Sequence, residues 1–290
     1  MAIDLPISFY IVAKNEIYWI EPCILSIANI ADEIVFVDNG STDGTREKVK
    51  KLKKKYNLNL KEYFKPEIRD LADLRNFAIS QCSNKWIFVW DADFIAFENS
   101  SSHSLEHKLL ELSKKEFFKR YHQITMAIPV MRTLMGKTWP DKPSYLHPPN
   151  CVIFHKDYLE TVKMAGGVDS RVWKAGCRTF YLDDYFFISA DIKSDFHHLS
   201  RQFRSPWRKL ISANPQTKLS LLEYIEEHPE IKQKLLVDLY HKHFITFPFD
   251  IPSFMQPFIQ HPPYTLKIKD NKVWGRTFDY ERLQKLELVG

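Results

Sequence analysis

Cysteine is scarce and scattered in this sequence. Its four thiols, Cys23, Cys82, Cys151 and Cys177, form no Cys-x-x-Cys pair and fall mostly inside apolar segments, which argues against a disulfide framework or a zinc site and leaves reduced, buried thiols as the expectation. Long hydrophobic runs are also missing. Nothing approaches the roughly 20 apolar residues that span a bilayer, and the N-terminus MAIDLPISFYIVAKNE carries Asp4 and Pro6 where a signal peptide has a basic start. A cytoplasmic protein is expected, one that can still sit peripherally on the inner face of a membrane. No GxSxG, P-loop or GxGxxG occurs, so the corresponding hydrolase, nucleotidase and dehydrogenase readings have no support. Charge is balanced too: 41 Lys plus Arg against 36 Asp plus Glu give a net +5, too mild and dispersed to argue for nucleic acid. A small polyanionic ligand fits it equally well. There is no internal repeat and no low-complexity tract.

What is present is enough for one sizeable core, with 44% hydrophobic and 14% aromatic content over 290 residues. The first half alternates two periodicities. Strands are expected at 7–13, 33–38, 60–63, 86–90 and 124–131, and helices at 17–30, 45–56, 71–82 and 105–121. The resulting β-α-β order implies an α/β fold with an open, mostly parallel sheet flanked by helices. The 86–90 strand, WIFVW, is apolar on both faces and belongs in the middle of that sheet. On helix 45–56, Val49, Leu52 and Tyr56 line one face while Lys48, Lys50, Lys51, Lys53, Lys54 and Lys55 occupy the rest, a solvated face or a contact for anionic lipid. Beyond 130 the pattern loosens into a Pro-rich loop and short strands near 151–154 and 179–182. Helical segments follow at 207–213, 218–227 and 230–244, with a hairpin turning at Asp270 and Asn271. The expected division is a domain over 1–200 and a C-terminal helical extension over 201–290 that ends in the hairpin.

Chemistry points to WDADF, residues 90–94. Asp91 and Asp93, separated by Ala92, follow a greasy strand directly. Desolvated carboxylates there need a cation or hydrogen-bond donors, and two of them on a tight turn suit a hard divalent ion with positions left open for phosphate and water. Open α/β sheets bind ligands beyond the carboxyl ends of their strands. Asp38, which ends the 33–38 strand, is therefore expected near the pair.

Three stretches in order, VAKNE (12–16), ADEIVFVDNGSTDGT (31–45) and LRNFAISQCSNKWIFVWDADF (74–94), resemble the inverting family-two glycosyltransferases of the GT-A nucleotide-sugar fold. The resemblance is strongest over the first hundred residues, and it is nearest to bacterial enzymes that glycosylate lipopolysaccharide cores and similar surface glycans. It implies a transferase of the hexosyl-transferring class that takes a sugar from a nucleoside diphosphate, UDP first, to a hydroxyl of a glycan or glycolipid, with Mn2+ or Mg2+ as cofactor. Carried over position by position, Asp38 accepts a hydrogen bond from the base, Asn15 and Glu16 close the pocket around base and ribose, and the chain passes beneath them at Ala13. Arg75 and Asn76 face the crevice, the former steadying ribose or diphosphate. Asp91 and Asp93 hold the metal, Asp93 more directly, with Ala92 between them.

The general base is expected at Asp184 in TFYLDDYFF, with Asp183 its near rival and Asp169 in GGVDSR a third choice; Asp183 and Asp184 as helix caps are the bland alternative. In DFHHLSRQFRSPWRK, His198, or else His197, completes the metal shell or touches the diphosphate, and Arg201, Arg204 and Arg208 grip phosphate. HSLEH (103–107) lacks the glutamate of a zinc-protease motif and reads as surface, as does YHKHF (240–244). Trp139, Tyr145, Trp173 and Phe180 can stack on sugars or fill the core. Two other readings compete: a non-catalytic nucleotide- or glycan-binding module of the same fold, and a haloacid-dehalogenase-type phosphatase. The phosphatase places its Asp-x-Asp behind the first strand and wants Thr or Val where Ile95 stands. Pairing of two copies is left open.

Overall fold

The computed structural model describes residues 5–114, 116–126, 128, 130–133, 136–138, 152–165, 168–182, 184–190, 195–241, 252–260, 264–270 and 272–278. In chain order these form β1 (Ile7–Ala13), α1 (Ile20–Ile27), β2 (Glu33–Asp38), α2 (Thr45–Tyr56), β3 (Leu60–Phe64), α3 (Leu71–Gln81), β4 (Trp86–Val89), β5 (Phe94–Ala96), α4 (Leu105–Lys114), α5 (Phe117–Arg120), β6 (Gln123–Met126), β7 (Val130–Thr133), β8 (Gly136–Thr138) and β9 (Val152–His155). There follow β10 (Leu159–Ala165), β11 (Val168–Trp173), β12 (Thr179–Leu182), β13 (Phe187–Ser189), α6 (Asp195–Ala213), α7 (Leu221–Glu226), α8 (Pro229–His241), α9 (Gln256–Gln260), β14 (Tyr264–Lys269) and β15 (Lys272–Phe278).

The chain divides into two compact units: residues 1–129, 140–190 and 250–255, and residues 130–139, 191–249 and 256–290. The boundary thus falls ten residues before the expected one at 200/201, and two short excursions cross it. In the first unit a seven-stranded sheet runs β12-β6-β9-β4-β1-β2-β3. Pairings are parallel except at β9, which is antiparallel to both β4 and β6. The mostly parallel α/β sheet expected from the sequence is therefore present.

Side-chain alternation explains why its central strands are buried almost throughout. Phe9 and Ile11 of β1, Ile34 and Phe36 of β2 and Phe88 of β4 pack on one face with Ile20, Ile24 and Ile27 of α1. Tyr10, Val35, Val37, Ile87 and Val89 point the other way, onto Ala72, Leu74 and Ala78 of α3. With period two and a helix on each side, every residue of such a strand loses contact with water. α3 begins where Asp70 accepts from the Ala72 and Asp73 amides, satisfying donors that the first helical turn leaves orphaned.

At the opposite edge from the site, Glu33 is only 3% exposed. Its carboxylate accepts from Ser8 Oγ (2.6 Å), the Ser83 amide (2.8 Å) and Ser83 Oγ (3.0 Å), and it pairs with Lys61. Burial pushes its pKa up, but the Lys61 ammonium and the three neutral donors outweigh that and hold it below the ordinary carboxylate value.

Several elements depart from expectation. The 105–121 helix is two, because Glu116 takes a left-handed conformation (φ 51°) between α4 and α5. The 124–131 strand is also two, and β7 belongs to the second unit. In that unit α6 starts at Asp195, twelve residues before the helix expected at 207. Leu199 and Phe203 of α6 pack there with Ile225 of α7 and Leu236 of α8. The α8 helix ends at His241 among the described residues, and β14 and β15 form the hairpin around Asp270, whose φ is 52°. No helix among the described residues is long and apolar enough to cross a membrane.

Replacing Glu33 by Gln is expected to cost about 1–3 kcal/mol, since the buried carboxylate that accepts from Ser8 and Ser83 loses its charge, while Lys61 turns to solvent. The lowered pKa means that the carboxylate stabilises the fold fully above about pH 5 and that this contribution is lost as pH falls through the depressed value. Urea unfolding of wild type and Glu33→Gln at pH 7 and at low pH checks both; a gap between the two proteins that is independent of pH contradicts the account.

Candidate active site

Three parallel strands deliver the site. β1 lies between β2 and β4, with Ala13 opposite Asp38 on one side and Tyr10 opposite Val89 on the other. The Trp90 amide extends the second ladder by donating to the Tyr10 carbonyl (3.0 Å). Asp38 and the turn after β4 thus flank β1 at one carboxyl edge, about 10 Å apart across two strand spacings. That is the neighbourhood the sequence led us to expect.

The loops after β1 and β2 are tied together. Asn15 adopts φ 58°; its amide donates to Ser41 Oγ (2.8 Å), and its side-chain oxygen accepts from the Thr42 amide (2.8 Å). The Glu16 amide donates to Thr45 Oγ1 (2.9 Å) and the Ile17 amide to Asp43 (3.0 Å). Gly44 has φ 96°, and a Cβ there would lie 2.9 Å from Ile17 Cδ1, so only glycine allows this close approach. Ala13 is buried, and its carbonyl accepts from the Asn39 amide (2.9 Å).

Asp38 is 1% exposed. Its Oδ1 accepts from the Gly40 (2.9 Å) and Ser41 (2.8 Å) amides, whereas Oδ2 is buried with no hydrogen-bond partner. Leaving a buried carboxylate oxygen unpaired costs on the order of 1–3 kcal/mol or more. An N–H from a ligand would remove that cost.

The Asp91-Ala92-Asp93 segment turns tightly, closed by the Phe94 amide donating to the Asp91 carbonyl (2.9 Å). Asp91 Oδ1 accepts from Arg75 NH2 at 3.0 Å, a pair in which the arginine side chain is 5% and the aspartate 24% exposed. Asp93 is 7% exposed, and its carbonyl accepts from the Ala190 amide (2.7 Å). Cys23 lies fully buried beneath, its thiol 3.6 Å from the Asp91 carbonyl. Burial first, then the field of Asp93 and, with lesser weight, those of Glu16 and Asp91, push its pKa well up, so several carboxylates act on one point. Among the described residues no three His, Cys, Asp or Glu side chains cluster closely enough to cage a metal ion. Two carboxylates whose ion would be completed by phosphate oxygens and water still fit Mn2+ or Mg2+, which keep waters and substrate oxygens in their shells.

Residues 8–108, which hold all of these groups, match the family model described as Glycosyl transferase family 2. Two curated relatives match in the same way: a lipopolysaccharide core biosynthesis glycosyltransferase of Rhizobium meliloti, 39% identical over 89 residues (31% of this chain, 32% of that protein), and an uncharacterised glycosyltransferase of Rickettsia typhi, 39% identical over 87 residues (30% and 27%). The matches span about a third of the relatives' length. Among solved structures, a mannosyltransferase of Pyrobaculum calidifontis in complex with GDP-Man and Mn2+ superposes with TM-score 0.51 at 16% identity, covering 89% of this chain and 70% of that one. This likeness shows that the chain has the GT-A fold.

Within the matched segment two expected ligand residues have other partners. Arg75 pairs with Asp91 and directs a second nitrogen to the Tyr10 hydroxyl (3.4 Å), so any hold on the diphosphate is shared with the Asp-x-Asp turn. Both ends of the Asn76 amide are spent on Val162, donating to its carbonyl and accepting from its amide at 2.9 Å each. Asn76 fastens β10 to α3.

The expected base is displaced. β13 runs antiparallel to β5 with Ser189 opposite Phe94 and Phe187 opposite Ala96, and the Phe97 amide donates to the Phe186 carbonyl. Ala190 meets Asp93 at one end of this ladder, and Asp184 lies past its other end, where the chain bends. Asp184 instead lies 3.3 Å from His103 Nδ1, while His103 Nε2 is 3.1 Å from the Tyr185 hydroxyl and the two rings stack at 4.2 Å. His103, read from sequence as surface, is a half-buried fastener. Asp183 falls outside the described residues, as do the side chains of Asp169, His197 and Arg201. In the second unit, His198 Nε2 sits 2.9 Å from the guanidinium of Arg276, which is 3% exposed. That lone pair cannot serve a metal while it accepts from Arg276.

Replacing Asp184 by Asn should therefore lower sugar transfer by less than tenfold, measured as nucleoside diphosphate release. A loss as deep as that from Asp93→Ala would return Asp184 to the reacting centre.

Proposed function

We propose that this protein transfers a sugar from a nucleoside-diphosphate donor to a hydroxyl of a glycan or glycolipid acceptor with inversion at the anomeric carbon. The observation that carries the reading is the placement of Asp38, with its unpartnered Oδ2, and of the Asp91–Asp93 turn on either side of β1 at one sheet edge. A nucleoside diphosphate bridges that gap. Its base meets Asp38, where an acceptor oxygen suits the ring N–H of uracil, and guanine, the base in the Pyrobaculum neighbour's ligand, offers an N–H as well. UDP-sugars are the first donors to test for this reason, with GDP-sugars beside them.

Asp93, with Asp91 held behind it by Arg75, would hold a divalent cation. When bound, such an ion supplies Lewis-acid neutralisation of the charge that grows on the departing diphosphate. Glu16 and Asn15 rim the base pocket on the side of the first loop. The acceptor hydroxyl must give its proton to a carboxylate as it attacks. With Asp184 held at the far end of the β5–β13 ladder, Asp183 and Asp169 carry that role forward as candidates. Asp169 lies in β11, paired with Met164 and two residues before Arg171, whose guanidinium reaches the Tyr10 hydroxyl on the floor of the site.

On α2, Lys50, Lys51, Lys54 and Lys55 are exposed, and two exposed aromatics, Tyr56 and Phe64, each 43% accessible, stand beside them with Arg46 stacked 3.8 Å over Phe64. Cations rimmed by aromatic rings suit an anionic bilayer surface. This supports peripheral contact with the membrane that would carry a glycolipid acceptor.

Incubating the protein and Mn2+ with UDP- and GDP-sugars is expected to release one nucleoside diphosphate, and Asp93→Ala should abolish the release. No release from any donor, or release unaffected by Asp93→Ala, contradicts the proposal. Co-sedimentation with vesicles of anionic phospholipid should be lost in the triple variant Lys50→Gln, Lys51→Gln, Lys54→Gln and weaken with salt; equal sedimentation of both proteins would rule out the α2 face.

A further inference from the structure

One buried hydroxyl joins the turn after β4 to a hairpin distant in sequence. Tyr10 is fully buried in the middle of β1, its ring packed in the core that faces α3. Its hydroxyl oxygen accepts from two guanidinium groups, Arg75 NH1 and Arg171 NH2, each at 3.4 Å. Arg75 is 4% exposed and also lies 5.9 Å from the Tyr10 ring centroid. Its other terminal nitrogen donates to Asp91 Oδ1 at 3.0 Å.

We infer that the Tyr10 hydroxyl is a positioning group for the metal-holding aspartates, acting through Arg75, and that Arg171 extends this control to the β10–β11 hairpin. The inference rests on the reading of Asp91 and Asp93 given above. A guanidinium is a rigid planar fork, so anchoring NH1 sets the direction in which NH2 meets a carboxylate. A tyrosine ring locked in a packed core has few rotamers, and its hydroxyl is therefore a fixed point against which the fork can be aimed. Asp91 and Asp93 share one tight turn, so the rotamer of the first sets the space left to the second. Two long hydrogen bonds contribute little individually to folding. Their effect should appear in geometry, where a small misplacement is expensive. The hairpin is independently held in place by the Asn76 amide on Val162, and Arg171 reaches the Tyr10 oxygen from it.

The experiment is a Mn2+ titration of the full chain in the presence of UDP, following free Mn2+ by electron paramagnetic resonance. Tyr10→Phe, which keeps the buried ring, is expected to weaken Mn2+ binding about threefold to tenfold, the range for losing one modest hydrogen bond. Its affinity for UDP without metal should stay as in wild type, which a general loss of structure would not leave unchanged. Arg171→Met should weaken Mn2+ binding in the same direction, and the double variant should be no weaker than Tyr10→Phe, because both act on one oxygen. Wild-type Mn2+ affinity in Tyr10→Phe overturns the inference while leaving the transferase reading intact. If Tyr10→Phe fails to fold, Arg171→Met decides in its place, with unchanged Mn2+ affinity overturning the inference. A wild-type protein that binds no Mn2+ with UDP overturns both.

Discussion

Parallel pairing of β1 with β2 on one side and β4 on the other is the constraint from which the rest follows. Because all three strands run the same way, their carboxyl ends emerge at one rim, and the chain must turn there three times. Each turn brings a polar cluster: Asn15 and Glu16, then Asp38 with its loop, then Asp91 to Asp93. The three clusters are far apart in sequence. The helices on both faces, packed on Phe9 and Phe88 to one side and Tyr10 and Val89 to the other, bury the middle of the strands and leave their polar groups at the two ends.

The rim concentrates negative charge and one unpaired buried oxygen. Asp38 keeps an unpaired oxygen under cover, and Asp91, Asp93 and Glu16 all bear on the Cys23 thiol. Arg75 answers this field locally through its bond to Asp91. Preorganised groups of this sort cost stability in the free protein and need no rearrangement when charge develops. The loop bonds from Asn15 to Ser41 and Thr42, and from Ile17 to Asp43, supply the rigidity that such a site requires.

Much of this was legible in the sequence, and the unread parts share a cause. Strands such as WIFVW announce themselves because burial on two faces leaves no polar positions, and Asp38 and Asp93 stand out as acids ending such strands. Asn76 misled because an amide that looks ready for a ligand pairs equally well with a backbone 86 residues away, a partner no local pattern displays. The place of Asp184 along the sheet was hidden for the same reason: it follows from the antiparallel register of β13 on β5, and register is a long-range property. His103 looked like a surface histidine because Asp184 and Tyr185, its partners, lie 80 residues on. The helix break at Glu116 needed a positive φ that glutamate seldom adopts.

The central claim is that the Asp91–Asp93 turn holds a divalent cation against the diphosphate of a nucleotide whose base rests on Asp38. Anomalous diffraction at the manganese edge, from crystals grown with UDP and Mn2+, tests it most directly. The account predicts a single strong peak in contact with the Asp93 carboxylate and the two phosphates, with the uracil ring nitrogen beside Asp38. A bound nucleotide with no peak at Asp93, or a peak among other residues, would contradict it.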